Sequence, residues 1–280
     1  MRRWFAVCCL CAAMVSGLVV VQSPLSYAQT PETNPAGPEV DVALVLAVDI
    51  SFSMDLDELA LQRDGYIQAI RSDEVKHAIA KGAVGRIAVT FVEWAGLQAQ
   101  YVVIPWMIID NPQSADAFAE KLAEAPTRRG RRTSVSGAID LGVRMLEQSN
   151  VTPLKKVIDI SGDGPNNEGR PVTEARADAL AKGITINGLP VMLKAPGYYD
   201  VADLDVYFED CVIGGPGSFS IPIRIKPQFA EAVRTKLVLE IAQAPVFPPW
   251  VTPLVQPAQA RNPRVSCMLG ERQWRDRMGN

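Results

Sequence analysis

Seven consecutive apolar residues, Val42-Ala43-Leu44-Val45-Leu46-Ala47-Val48, leave this chain little freedom in its fold. A strand with one face in water alternates apolar with polar residues. A run with no polar position needs cover on both sides, which a central strand of a parallel sheet receives from flanking helices. The rest of the sequence supplies that cover. Helical spacing runs over residues 57–80 through Leu59, Tyr66, Ile67, Ile70 and Ile79. Residues 86–93 and 100–108 are short and β-branched with Gly96 between them, which predicts an antiparallel hairpin. Helices follow at 115–125 and 134–148, then a strand at 156–161, a helix at 173–182, a strand at 184–189 and a helix at 229–242. A further strand at 218–223 is predicted at the sheet edge, because Pro222 has no N–H to donate. Strands and helices in this alternation imply a doubly wound, Rossmann-like α/β sheet with helices on both faces, over residues 40–243.

The flanks read differently. Arg2 and Arg3 precede an apolar stretch at 4–21, Pro24 breaks it, and Ser26-Tyr27-Ala28 places small residues where a signal peptidase reads. Residues 1–28 therefore form a secretory signal peptide cleaved after Ala28, with an uncleaved membrane anchor as the alternative. The expected location is the periplasm or the exterior. Residues 29–39 are a flexible leader. Residues 244–280 are a Pro-rich C-terminal extension, with six prolines between 245 and 263; they are expected to lie extended over the domain surface. Cys8, Cys9 and Cys11 fall in the signal segment, so only Cys211 and Cys267 enter the fold. In an oxidising compartment two cysteines most simply make one disulfide, which would tie the tail back, and two unrelated buried thiols are the other reading.

The charge balance excludes some partners. A formal net charge of −3 and a single histidine argue against a nucleic-acid surface, and against most zinc sites and His-dependent catalysis. No membrane span is expected once the signal is removed.

Polar chemistry gathers where the predicted strands end. After the first strand comes Asp49-Ile50-Ser51-Phe52-Ser53-Met54. Alternate side chains of an extended segment share a side, so one carboxylate and two hydroxyls face together, at the sheet edge where open α/β folds bind ligands. Thr133 precedes the helix starting at Ser134, and the strand at 156–161 leads into Ser161-Gly162-Asp163-Gly164. Three loops, read as leaving strand ends, thus supply Asp49, Ser51, Ser53, Thr133 and Asp163. These are hard oxygen donors, suited to a divalent cation, Mg²⁺ first and Mn²⁺ or Ca²⁺ next. Asp159, further back on its strand, reads as structural.

The set resembles the metal-ion-dependent adhesion site of von Willebrand factor A domains, in which Asp-x-Ser-x-Ser, a threonine and an aspartate surround one cation. The Ser-Gly-Asp-Gly-Pro-Asn-Asn loop and Cys211-Val212-Ile213-Gly214-Gly215-Pro216-Gly217 resemble an exported bacterial subgroup of uncharacterised function. The resemblance implies direct ligation by Ser51, Ser53 and, with a ligand engaged, Thr133, while Asp49 and Asp163 act through water. It also implies a non-enzymatic module that captures an acidic group of a protein partner. Gly162 stands as an extra residue against the Thr-Asp-Gly of many relatives. Arg128, Arg129, Arg131 and Arg132 precede Thr133 and read either as a cationic rim that steers such a partner or as a solvated loop. Glu168 and Arg170 carry the same two readings.

Rival classes lack their signatures. A Ser-His-Asp hydrolase would need His77, on a helix among charged residues, and there is no Gly-x-Ser-x-Gly elbow. An aspartyl phosphatase wants a second acid two residues after Asp49, where Ser51 stands. A small-anion receptor would show a deep pocket.

Overall fold

The computed structural model describes residues 37–194, 201–242 and 263–278. The signal peptide, most of the leader and the Pro-rich stretch up to residue 262 lie outside the described residues. Five strands are present: β1 Glu39–Asp49, β2 Ile87–Trp94, β3 Gln100–Ile109, β4 Thr152–Gly162 and β5 Ile184–Pro190. They form one sheet in the order β3-β2-β1-β4-β5. β1 pairs in parallel with β2 and β4, and β4 with β5, while β2 and β3 form the antiparallel hairpin. The helices are α1 Leu56–Arg71, α2 Asp73–Ala80, α3 Pro112–Glu124, α4 Val135–Glu147, α5 Val172–Ala181, α6 Leu204–Tyr207, α7 Phe229–Ile241 and α8 Leu269–Met278.

The apolar run sits at the centre of this sheet. Val42, Leu44, Leu46 and Val48 enter one buried cluster with residues of α1, α2, α3 and α7. Ala43, Val45 and Ala47 enter a second, with α4, α5 and residues 204–212. Successive side chains point to opposite faces, so a strand without polar alternation fills two cores at once. Gly65 lets α1 and α7 meet, since a Cβ there would lie 2.8 Å from Phe229 Cδ1.

Four expectations need correction. Residues 57–80 are two helices. Ser72 is extended (φ −67°, ψ 149°), its hydroxyl donating to the Ala69 carbonyl and accepting the Val75 N–H, so one serine ends α1 and caps α2. Residues 218–223 form no strand. Bridges Gly188↔Ser220 and Val191↔Ile223 follow β5 in parallel, and Pro222, lacking its N–H, stands between those two contacts. The Thr133 loop follows α3 and not a strand. The C-terminal extension contains a helix, α8, which no periodicity announced among its arginines and glutamine.

The disulfide is present: Cys211 joins Cys267 with Cα atoms 5.4 Å apart. Among the described residues no helix is long and apolar enough to cross a membrane.

Candidate metal centre

The loop after β1 is shaped by alternation. Ile50 and Met54 are buried apolar anchors, while the oxygens of Asp49, Ser51 and Ser53 gather on the other side. The Ile50 N–H donates to the Trp94 carbonyl, the Gly130 N–H donates to the Ile50 carbonyl, and the Met54 N–H closes a turn onto the Ser51 carbonyl. Asp55 and Glu58 then form a capping box that launches α1. Lys194, just beyond β5, donates to the Ser53 carbonyl at 2.7 Å and pairs with Glu58. Arg129 donates to the carbonyls of Phe52 and Met54.

Within that frame the side chains form a relay from core to surface. Asp49 Oδ1 accepts the Ser51 N–H at 2.7 Å. The Ser51 and Ser53 hydroxyls share a hydrogen bond of 2.8 Å. Ser53 Oγ donates to Asp163 Oδ1 at 2.6 Å, joining residues 110 positions apart. Asp49 and Ser51 are buried, whereas Ser53 is exposed.

Gly162 decides where Asp163 stands. A Cβ at 162 would lie 3.0 Å from Asp49 Oδ2 and 3.3 Å from the Trp94 ring, so glycine lets β4 close onto Asp49 and brings Asp163 into the relay. The extra glycine therefore tightens the cluster. Thr133 is almost fully buried and is held by its backbone: its N–H donates to Asn167 Oδ1 at 2.9 Å and its carbonyl accepts the Asn167 N–H at 2.8 Å. A Cβ at Gly164 would meet Thr133 Oγ1 at 3.9 Å, which puts the threonine hydroxyl beside the residue that follows Asp163.

The electrostatics of this pocket favour a cation. Burial pushes the Asp49 carboxyl well above its ordinary value, and the nearby Asp163 charge pushes it further, against hydrogen bonds from Ser51 and from the Asp163 backbone. Asp49 Oδ2 is buried without a hydrogen-bond partner of normal geometry. Two neighbouring carboxylates and an orphaned buried oxygen would be relieved by a positive ion, and oxygen donors suit a hard cation better than a soft one. Among the described residues no group of three or more His, Cys, Asp or Glu side chains is placed to hold a metal ion by itself. The donor set is dominated by hydroxyls.

The arginines divide. Arg131 is exposed. Arg132 is half-buried, has a left-handed backbone (φ 71°), and lies with its guanidinium 3.6 Å from the centre of the Trp274 ring. Arg128 pairs with Glu93 and lies over Tyr101. Glu168 accepts the Leu97 N–H, and Arg170 pairs with Asp140 and Asp178, so both hold loops. Sequence reasoning missed Lys194, the Asn166–Asn167 brackets and Trp274. Only the asparagine pair carried a local signal, lying in the same loop as Asp163.

A family model described as "Protein of unknown function (DUF1194)" matches residues 39–245. Curated proteins gave no match. Among solved structures, the pilus adhesin SpaC from Lactobacillus rhamnosus GG aligns with a TM-score of 0.56 at 13% identity, over 72% of this chain and 31% of that one. A von Willebrand factor type A protein from Catenulispora acidiphila aligns with a TM-score of 0.51 at 14% identity, over 72% and 43%. Proximal thread matrix protein 1 from the mussel byssus, described with a zinc-occupied MIDAS motif, gives 0.50 at 12% identity, over 73% and 48%. The chain spans less than half the length of these structures. The fold is that of a von Willebrand factor A domain.

Proposed function

We propose, for a chain that belongs to the DUF1194 family of proteins of unknown function and has the von Willebrand factor A fold, a non-enzymatic, divalent-cation-dependent role in binding another protein outside the cytoplasm. The observation that carries this reading is the relay from Asp49 through Ser51 and Ser53 to Asp163, with an orphaned carboxylate oxygen at its buried end. Ser51, Ser53 and Thr133 would hold the cation through neutral oxygens, with Asp49 and Asp163 reaching it through water and not by direct ligation. When bound, a Mg²⁺ ion supplies a hard acceptor for an external carboxylate oxygen, because neutral donors leave much of its charge uncompensated and it readily retains exchangeable water. Asp49, fixed by the Ser51 N–H, sets the depth of the site. Lys194 and Arg129 hold the serine loop through its carbonyls and so keep the two hydroxyls side by side.

The surroundings suit a protein partner. Phe52, between the two serines, is 53% exposed, and Leu97, beside the Glu168 anchor, is 46% exposed. Arg131 adds an exposed cation to this rim. Apolar anchors and arginine around a polar centre are the composition of recognition patches, and an Asp or Glu of the partner is the chemistry that matches the cation. The fold of the pilus adhesin and byssus matrix proteins, and the export signal read in the sequence, support an extracytoplasmic setting. The deciding experiment is calorimetric titration of Mg²⁺ and Mn²⁺ into the mature chain, with Asp49→Ala as control, followed by capture from the envelope of the source organism with Mg²⁺ or with EDTA. Heat of binding lost in Asp49→Ala, and captured protein lost in EDTA, are expected. Capture indifferent to chelator would overturn the adhesive reading.

A further inference from the structure

The C-terminal helix touches two of the three loops that carry the candidate ligands. On one side Trp274 stacks on Arg132, the residue before Thr133, at 3.6 Å. On the other, Glu271 accepts a hydrogen bond of 2.8 Å from Asn166 Nδ2, and Gly270 lies so close to the Asn166 carbonyl that a Cβ would collide with it. Asn166 is fully buried and in turn accepts the Ser136 N–H in the first turn of α4. The neighbouring Asn167 brackets Thr133 from both its N–H and its carbonyl. The entry to α8 is fastened independently, by the Cys211–Cys267 disulfide and by Arg264 on Glu209 and Asp210.

We propose that α8 is a built-in strut of the metal centre, with Trp274 as a positioning residue that sets the Thr133 loop against the Asp163 loop. The physical reason lies in Arg132. Its left-handed backbone is unfavourable for a residue with a side chain and persists only where the surroundings enforce it. The hydrogen bond from the Gly96 N–H to the Arg131 carbonyl ties this loop to the β2–β3 turn, and the indole face holds the guanidinium through a cation–π contact. Loss of the stack frees Arg132 to return to an ordinary conformation, and Thr133 is the next residue. Loss of a residue that orients metal ligands from outside typically costs about 10–100-fold in affinity. One consequence for the partner surface is that Arg132 serves as a fixed wall, leaving Arg131 as the exposed cation of the pair.

The inference rests on the metal-binding reading, and the test separates the two. Mg²⁺ and Mn²⁺ titrations on the mature full chain are compared for the wild type, Trp274→Ala, Trp274→Phe and Gly270→Ala. Thermal unfolding and amide hydrogen exchange are measured on the same proteins without metal. Trp274→Ala and Gly270→Ala are expected to weaken metal binding by about tenfold or more with little change in thermal midpoint, and Trp274→Phe to recover most of the affinity. Exchange of amides at 131–137 and 163–168 should speed up in the two weakened variants even without metal. Wild-type affinity in both would overturn the strut. If the wild type binds neither ion, the metal reading fails, and exchange alone decides: unchanged protection of the two loops in Trp274→Ala overturns the strut as well.

Discussion

Gly162 shows how one missing Cβ organises a site. Its absence lets the end of β4 lie against Asp49 and the Trp94 ring, and the next residue, Asp163, then reaches Ser53 at 2.6 Å. Gly162→Ala should therefore part Asp49 from Asp163 and lower Mg²⁺ affinity by about tenfold or more, read by calorimetry beside a circular dichroism spectrum that stays unchanged. Ser53→Ala should weaken binding too, since it removes one proposed ligand and the link to Asp163, whereas Ser53→Thr keeps the hydroxyl. Equal affinities for Ser53→Ala and wild type would remove Ser53 from the donor set. At this scale the sequence was informative about identity: Asp49, Ser51 and Ser53 are visible because alternation along an extended segment brings their side chains to one side. It was silent about Lys194 and Trp274, which reach the site from positions with no local pattern.

Elements were legible where periodicity or covalent constraint dominates and illegible where a single side chain intervenes. The β2–β3 hairpin followed from β-branched runs and α4 from the spacing of Val135, Ile139, Val143 and Leu146, while the structure makes Ser134 the cap of that helix, its hydroxyl accepting the Gly137 N–H. The break between α1 and α2 did not, because the apolar spacing continues across it and only the Ser72 hydroxyl, bonded to both helices, marks it. Ser72→Ala should cost about 1 kcal/mol of stability, measured by urea denaturation; an unchanged midpoint would mean that tertiary packing alone ends α1. Gly65→Ala tests the α1–α7 contact. Its Cβ would overpack Phe229, and a loss of about 1–3 kcal/mol is expected in the same assay.

The whole molecule contains a buried ionic knot beneath its sheet. Lys236 of α7 pairs with Asp159 of β4 at 2.6 Å and with Glu240, all of them buried, and the Tyr66 hydroxyl donates to Asp159 at 3.3 Å. Two carboxylates buried around Lys236, with Lys155 reaching the Glu240 carbonyl at 3.3 Å, are costly to keep ionised together, and burial favours a proton on one of them. Burial pushes Asp159 from an ordinary 3.8 up to about 7, with Glu240 adding to the rise and Lys236 opposing it. Between those values the folded chain holds a proton that the unfolded chain has released. This contribution to stability is complete below about pH 4 and is lost as pH rises through 7. Asp159→Asn should flatten that slope in urea midpoints taken from pH 5 to 8, and a slope identical to wild type would place the proton elsewhere. The disulfide acts at the same scale by closing a long loop: Cys211→Ser with Cys267→Ser should lower stability by about 2–4 kcal/mol, read by thermal or urea unfolding.

The amino-acid order alone determined the central strand, the alternating architecture around it, the hydroxyl-bearing loop after β1 and the pair of cysteines available to bond. These are local matters of side-chain periodicity, backbone conformation and composition. Only the folded chain decided that Asp163 closes on Ser53, that Thr133 is held from Asn167 across the loop gap, that residues 218–223 merely flank β5, and that α8 returns to rest on Arg132 and Asn166. Each of those depends on contacts between segments distant in sequence, where close approach, burial and the pairing of polar groups are set by the whole packing and not by the residues beside them.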